Sequence, residues 1–241
     1  MAARDEILNK LKAALTHEAH LNMHESPLDI EFEDGVLVLS GEVEHIAAKK
    51  RAVELASEIS DIREVRDLLT VKPASRMGDE EIRNHVRDLL LQEPELHFYA
   101  IRQQDAEGLR EMRPMSGDLE CYINVAVEDG IVTLEGQADS LARMRMAGVL
   151  AWWVPGTRAV RNRIAIVPAE EDNDLEVGDN LLRILEKDPY VDATQIQVRV
   201  QDHVVTLSGA VIGPRERDMA ESDAWFMPGV KNVINQIQVN P

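Results

Sequence analysis

Apolar and polar positions alternate from residue 28 onward: Leu28, Ile30 and Phe32 share one face, and a second alternating run, "VLVLSGEV", follows Asp34 and Gly35. Period-two alternation broken by an Asp-Gly pair predicts a β-hairpin turning at that dipeptide. The same words return as "DGIVTLEGQA" at 129 to 138 and "DHVVTLSGAV" at 202 to 211, led by Ile123, Val125, Val127 and by Ile196, Val198, Val200. From Gly41, Gly136 and Gly209 the copies run without a gap, aligning Val65 with Val160 and Val233, and Leu69 with Ile164 and Ile237. The third copy has His203 where the others have glycine, so a different turn is expected there.

The period changes on either side of each hairpin. Downstream, Ala52, Ala56 and Ile59 align with Ala147, Ala151 and Val154 and with Ala220, Ala224 and Met227, marking the core face of a helix; a third strand follows. Upstream, helical spacing is carried by Ile7, Leu8, Leu11 and Leu15, by Ile82, Val86, Leu89 and Leu90, and by Val177, Leu181, Ile184 and Leu185. Pro94 and Pro189 stand where the second and third of these helices should stop. The fold class is therefore α+β: three tandem α-β-β-α-β units, each with two helices packed on a small three-stranded mixed sheet. The units span 1 to 73, 76 to 168 and 174 to 241. Short polar linkers, "PASRMGD" and "PAEEDND", join them. The Asp ending each linker is expected to cap the next helix, and tethers this short predict a compact array.

Charge narrows the partners. The chain carries a net charge of −18, divided as −6, −4 and −8 over residues 1 to 73, 74 to 168 and 169 to 241. No third offers a basic face by count, which argues against a nucleic acid partner. Apolar runs are too short to span a bilayer, and the N-terminus lacks the basic-then-apolar order of a secretory leader. A cytoplasmic protein, free or peripheral to a membrane, is expected. The single cysteine, Cys121, has no partner for an internal disulfide and no evident base to make it a nucleophile. His17, His20 and His24 recur at helical spacing beside Glu18 and Glu25. With no further ligand evident, a solvated helix end is expected, and neither a metal nor a cofactor. No nucleophile–base pair, phosphate loop or paired acids stand in a readable setting, so no catalytic residue is assigned and no enzyme expected.

Two features remain. Pro94 to Ile123 spans 29 residues where Pro189 to Ile196 spans 7, so the second unit carries an insertion of about 96 to 120. It mixes His97, Phe98 and Tyr99 with Arg102, Arg110 and Arg113, a place for a partner to bind. The second feature is a pair of aromatics at one point of two copies: Trp152 and Trp153, then Trp225 and Phe226, where the first copy has Ser57 and Glu58. At about 100° per residue, Trp153 and Phe226 fall beside the core stripe, while Trp152 and Trp225 turn away from it. These last two are expected to be exposed in their own unit and covered by another repeat, a partner or a ligand.

The Asp-Gly-Val-x-Leu-Ser-Gly run, with "PGTRAVRNRI" at 155 to 164 and "PGVKNVINQI" at 228 to 237, resembles the BON domain, a small bacterial module, three times over. The first copy, "SDIREVRDLL" at 60 to 69, lacks the Pro-Gly. The resemblance implies a binding module, attached to phospholipid membranes or taking an apolar ligand, in stress or envelope maintenance and usually outside the cytoplasm. On that reading Trp152, Trp153, Trp225, Phe226, Phe98 and Tyr99 form the contact. The alternative is a protein-interaction scaffold with the aromatic pairs buried between repeats. The oligomeric state is open.

Overall fold

A computed structural model describes residues 2 to 23, 26 to 117 and 120 to 240. Helix α1 (Ala2–His17) leads into strands β1 (Asp29–Glu33) and β2 (Val36–Val43), helix α2 (Ile46–Ser57) and strand β3 (Glu64–Val71). The second repeat runs α3 (Asp79–Gln92), β4 (Ala100–Asp105), β5 (Gly108–Arg113), β6 (Tyr122–Glu128), β7 (Ile131–Ala138), α4 (Leu141–Trp152) and β8 (Ala159–Ile166). The third runs α5 (Asp174–Lys187), β9 (Ile196–Gln201), β10 (Val204–Val211), α6 (Pro214–Phe226) and β11 (Asn232–Val239).

Each hairpin is antiparallel, and its second strand also pairs in parallel with the strand after the helix. The outer repeats have three-stranded sheets, β1-β2-β3 and β11-β10-β9, as the alternation predicts. The second has five, in the order β5-β4-β6-β7-β8. The insertion is the cause: β4 joins β6 in parallel and β5 folds back on it. The helix stripes lie in the core, with Leu11, Leu15, Ile82, Val86, Leu90, Val177, Leu181 and Leu185 fully buried together with the paired alanines of α2, α4 and α6.

All three turns are alike. Asp34, Asp129 and Asp202 have φ of 46°, 51° and 52°, followed by Gly35 at 77°, Gly130 at 75° and His203 at 63°. The different turn expected at His203 is not found; histidine tolerates the left-handed region better than most side chains, and a bond from α5 holds its N–H in place. In repeats 2 and 3 the glycine closing the "LEG" or "LSG" word is needed for space: a Cβ on Gly136 or Gly209 would lie 2.0 Å from the carbonyl oxygen of Tyr122 or Gln195. The linker aspartates are not N-caps. Gly78 and Asn173 hold those positions, which frees Asp79 and Asp174 to reach the turns.

A polar residue inside each third strand repeats a bond that the pattern does not reveal. Asp67, Asn162 and Asn235 each accept the backbone N–H two residues on. Asn162 also donates to Met144 O in α4 and Asn235 to Arg217 O in α6, while Asp67 takes the ammonium of buried Lys49 at 2.6 Å. By contact the chain divides into two compact units, residues 1 to 72 and 73 to 241. Repeats 2 and 3 thus share one body.

Candidate functional site

The insertion is tied down by a buried polar cluster. It opens with a 3₁₀ turn, Pro94–Leu96, and Tyr99 behind it is 0% exposed. The Tyr99 hydroxyl donates to Asp139 Oδ1 at 2.5 Å and accepts the Asp139 N–H at 3.1 Å. Arg143 reaches both Asp139 oxygens, at 2.8 and 2.7 Å, and Glu95 O at 3.0 Å. Burial alone would raise the Asp139 pKa, but the bonds from Tyr99 and Arg143 outweigh it and hold the carboxyl below its ordinary value. Burial pushes up the Tyr99 hydroxyl and the Cys121 thiol, so neither is primed to react.

Phe98 lies under the Arg143 guanidinium at 5.0 Å and meets Tyr99 edge to face at 4.9 Å. Arg113 donates to three backbone carbonyls, those of Tyr99, Leu91 and Leu96. Arg102 sits over Tyr122 and pairs with Glu111, and Arg110 pairs with Asp105. The aromatic and basic residues offered as a partner site therefore hold the hairpin to its own sheet. Tyr99, one of the residues expected at the contact, is buried.

The aromatic pairs meet between repeats 2 and 3. Trp152 of α4 stacks on Phe226 of α6, ring centres 5.3 Å apart and planes within 9°. Trp153 donates its indole N–H to Asp223 Oδ1 at 2.7 Å. Trp152, Trp153 and Phe226 are half-buried, whereas Trp225 is 1% exposed. Trp225 is thus covered within the molecule.

Polar groups close the same joint. Arg145 of α4, 1% exposed, pairs with Asp172 of the linker and donates to Pro228 O beyond α6. Lys187 of α5 reaches Glu93 at 2.8 Å and Glu95 at 3.4 Å. Burial works against the Lys187 charge, but the two glutamates outweigh it and raise its pKa. Asp223 is 2% exposed, its Oδ2 finds no donor among the described residues, and its pKa is pushed up to about 8, chiefly by burial and further by Asp188. A carboxyl so placed holds its proton at neutral pH.

His17 and His20 do not lie on one continuous helix. Helix α1 ends at His17, which breaks the shared face. His20 meets His45 edge to face, with ring centres 6.0 Å apart, and Glu18 pairs with Arg51 at 3.1 Å. His24 and Glu25 lie outside the described residues. Among the described residues no group of three His, Cys, Asp or Glu side chains could hold a metal, and no helix is long and apolar enough to cross a membrane.

The model of the BON domain matches residues 4 to 73, 122 to 168 and 173 to 241. A curated relative, osmotically-inducible protein Y of Escherichia coli strain K12, is 30% identical over 122 residues. That match spans 48% of this chain and 61% of the relative. Among solved structures, the C-terminal domain of CdsD, a structural protein of the type III secretion system of Chlamydia trachomatis, aligns over 98% of both chains at 13% identity and a TM-score of 0.25. The PrgH periplasmic domain aligns over 89% of this chain and 95% of its own at 10% identity and a TM-score of 0.24. At those scores neither structure carries an argument.

Proposed function

The chain belongs to the BON domain family, and from that premise we propose that it is a non-enzymatic binding module, a protein-interaction scaffold acting under osmotic stress. The stress setting follows the relative named osmotically-inducible protein Y. One observation carries the scaffold reading over a lipid or apolar-ligand contact. The aromatic side chains such a contact would use are engaged inside the molecule, with Trp152 stacked on Phe226, Trp153 bonded to Asp223 and Trp225 buried. Stacked aromatics at a joint hold repeats in a fixed relation, which suits a rigid platform for another protein. Catalysis has no support in the polar cluster either, where Tyr99, Asp139 and Arg143 satisfy one another.

Vesicle co-sedimentation, paired with melting, tests the reading. Trp152→Ser should lower stability by about 2 kcal/mol, the scale of losing a large partly buried side chain, and the wild type should not sediment with phosphatidylglycerol–phosphatidylethanolamine vesicles. Saturable sedimentation that Trp152→Ser abolishes without loss of melting temperature would overturn the scaffold in favour of membrane contact.

A further inference from the structure

In repeats 2 and 3 the first helix fills the hairpin turn with a carboxylate. Asp79 accepts the N–H groups of Asp129 and Gly130 at 2.9 and 2.8 Å, and Asp174 those of Asp202 and His203 at 2.7 and 2.9 Å. Successive left-handed residues aim both N–H groups at one point, a small anion-binding concavity. The charge is well held: the Asp174 carboxyl lies below its ordinary pKa, first through the His203 N–H. A basic residue attends every turn, with Arg63, Arg158 and Lys231 donating their backbone N–H to Gly35, Gly130 and His203 O.

Repeat 1 builds the same turn, with Asp34 at φ 46° and Gly35 at 77°, and the same basic residue, but withholds the carboxylate. The buried Ile7, Ile82 and Val177 align the three helices, so Arg4 stands where Asp79 and Asp174 stand. Among the described residues neither the Asp34 nor the Gly35 N–H has a partner. A cleft of about 440 Å³ borders the turn at Asp34, with Arg4, Arg66, Glu31 and Glu33 around Phe32, Val36 and Val38. Arg66 is committed to Glu64 at 2.8 Å, whereas Arg4 has no carboxylate partner among the described residues. Arg63 lies over Gly35, where its Nε would be 2.6 Å from an added Cβ, and its guanidinium donates to Asp34 O.

We propose that this turn, at the edge of the cleft, binds an aspartate side chain from an acidic segment of a partner protein, its carboxylate seated on the Asp34 and Gly35 N–H groups with Arg4 beside it. Acidic neighbours do not prevent this, since Asp79 is seated beside Asp129 and Glu128 in the second repeat. The chain's overall negative charge is screened beyond about 10 Å at ordinary salt. The proposal goes beyond the scaffold reading, and its failure would leave the vesicle result standing.

The probe is the peptide acetyl-Gly-Asp-Glu-Glu-Ile-amide, the sequence of residues 78 to 82, titrated into the full chain while amide resonances are followed by NMR. The Asp34 and Gly35 amides should shift and saturate below about 10 mM, and the peptide with Asn for Asp should bind at least about fivefold more weakly, as loss of a charge-assisted bond requires. Arg4→Asp supplies its own carboxylate and should abolish those shifts while raising the melting temperature; Arg4→Ala should only weaken binding. Absence of saturable shifts, equal binding of both peptides, or undiminished binding by both Arg4 variants overturns the proposal.

Discussion

Asp223 is the residue whose surroundings make the sharpest demand. The elements packed against α6 are α4, α5, β10 and β11, and neither β10 nor β11 carries a titratable side chain. Of the cations on the other two, Arg143 and Arg145 serve Asp139 and Asp172, Lys187 serves Glu93 and Glu95, and Arg183 is exposed. What faces Asp223 is the Trp153 indole and the carboxyl of Asp188. A carboxyl protonated in the fold with a pKa of about 8, and ionised in the unfolded chain above about pH 4, releases its proton on unfolding. Its stabilising contribution is complete below pH 4, declines by about 1.4 kcal/mol per pH unit, and is gone above pH 8. Asp223→Asn keeps an acceptor for Trp153 and gives Asp188 a donor. Relative to wild type, the variant should grow steadily more stable from pH 4 to pH 8 in thermal melts. A difference that stays constant with pH would mean that Asp223 is ionised in the fold.

Single elements depend on bonds made at their ends. The insertion hairpin relies on Arg113, whose guanidinium serves three carbonyls at once. Arg113→Ala would remove the donor from all three carbonyls, although Leu96 O keeps the Tyr99 N–H, at a cost of about 1 to 3 kcal/mol. The amides of β4 and β5 should then exchange with solvent faster while those of β9 to β11 do not; uniform change across both sheets would refute a local anchor. Alternation made the hairpins of all three repeats legible, because a period of two with a gapless register leaves little freedom. It did not make β4 and β5 legible, since "AIRQQDAEGLREMR" mixes charge with apolar residues on both faces and its pairing partner, β6, lies beyond the next loop. The turn clasps were missed for a related reason. Asp79 and Asp174 have the composition of helix caps, and only tertiary placement directs them 50 and 28 residues onward to a turn. Periodicity registers only the unit's own core, so it could not say what would cover Trp225. Asp223 gave no sign at all, being one acid in a helix full of them.

At the scale of the whole molecule, repeat identity and structural unit part company. Three copies of one sequence pattern yield two compact units, because the second and third are joined through the Trp152–Phe226 stack, the Trp153–Asp223 bond and the Arg145–Asp172 pair. A buried guanidinium that loses its carboxylate is costly, typically about 3 to 5 kcal/mol, and the aromatic stack adds its apolar area to what separation would expose. Cutting the chain after Lys72 should therefore behave differently from cutting it after Pro168. Residues 73 to 241 should melt in one cooperative transition, since both repeats draw on the same joint. Residues 73 to 168 alone should lose several degrees or fail to fold, with Trp152, Trp153 and Arg145 uncovered, and their tryptophan emission should shift to the red. A fragment 73 to 168 that melts at the same temperature as 73 to 241 would mean that the joint contributes nothing to stability, and would remove the support that the buried aromatics give to a rigid platform.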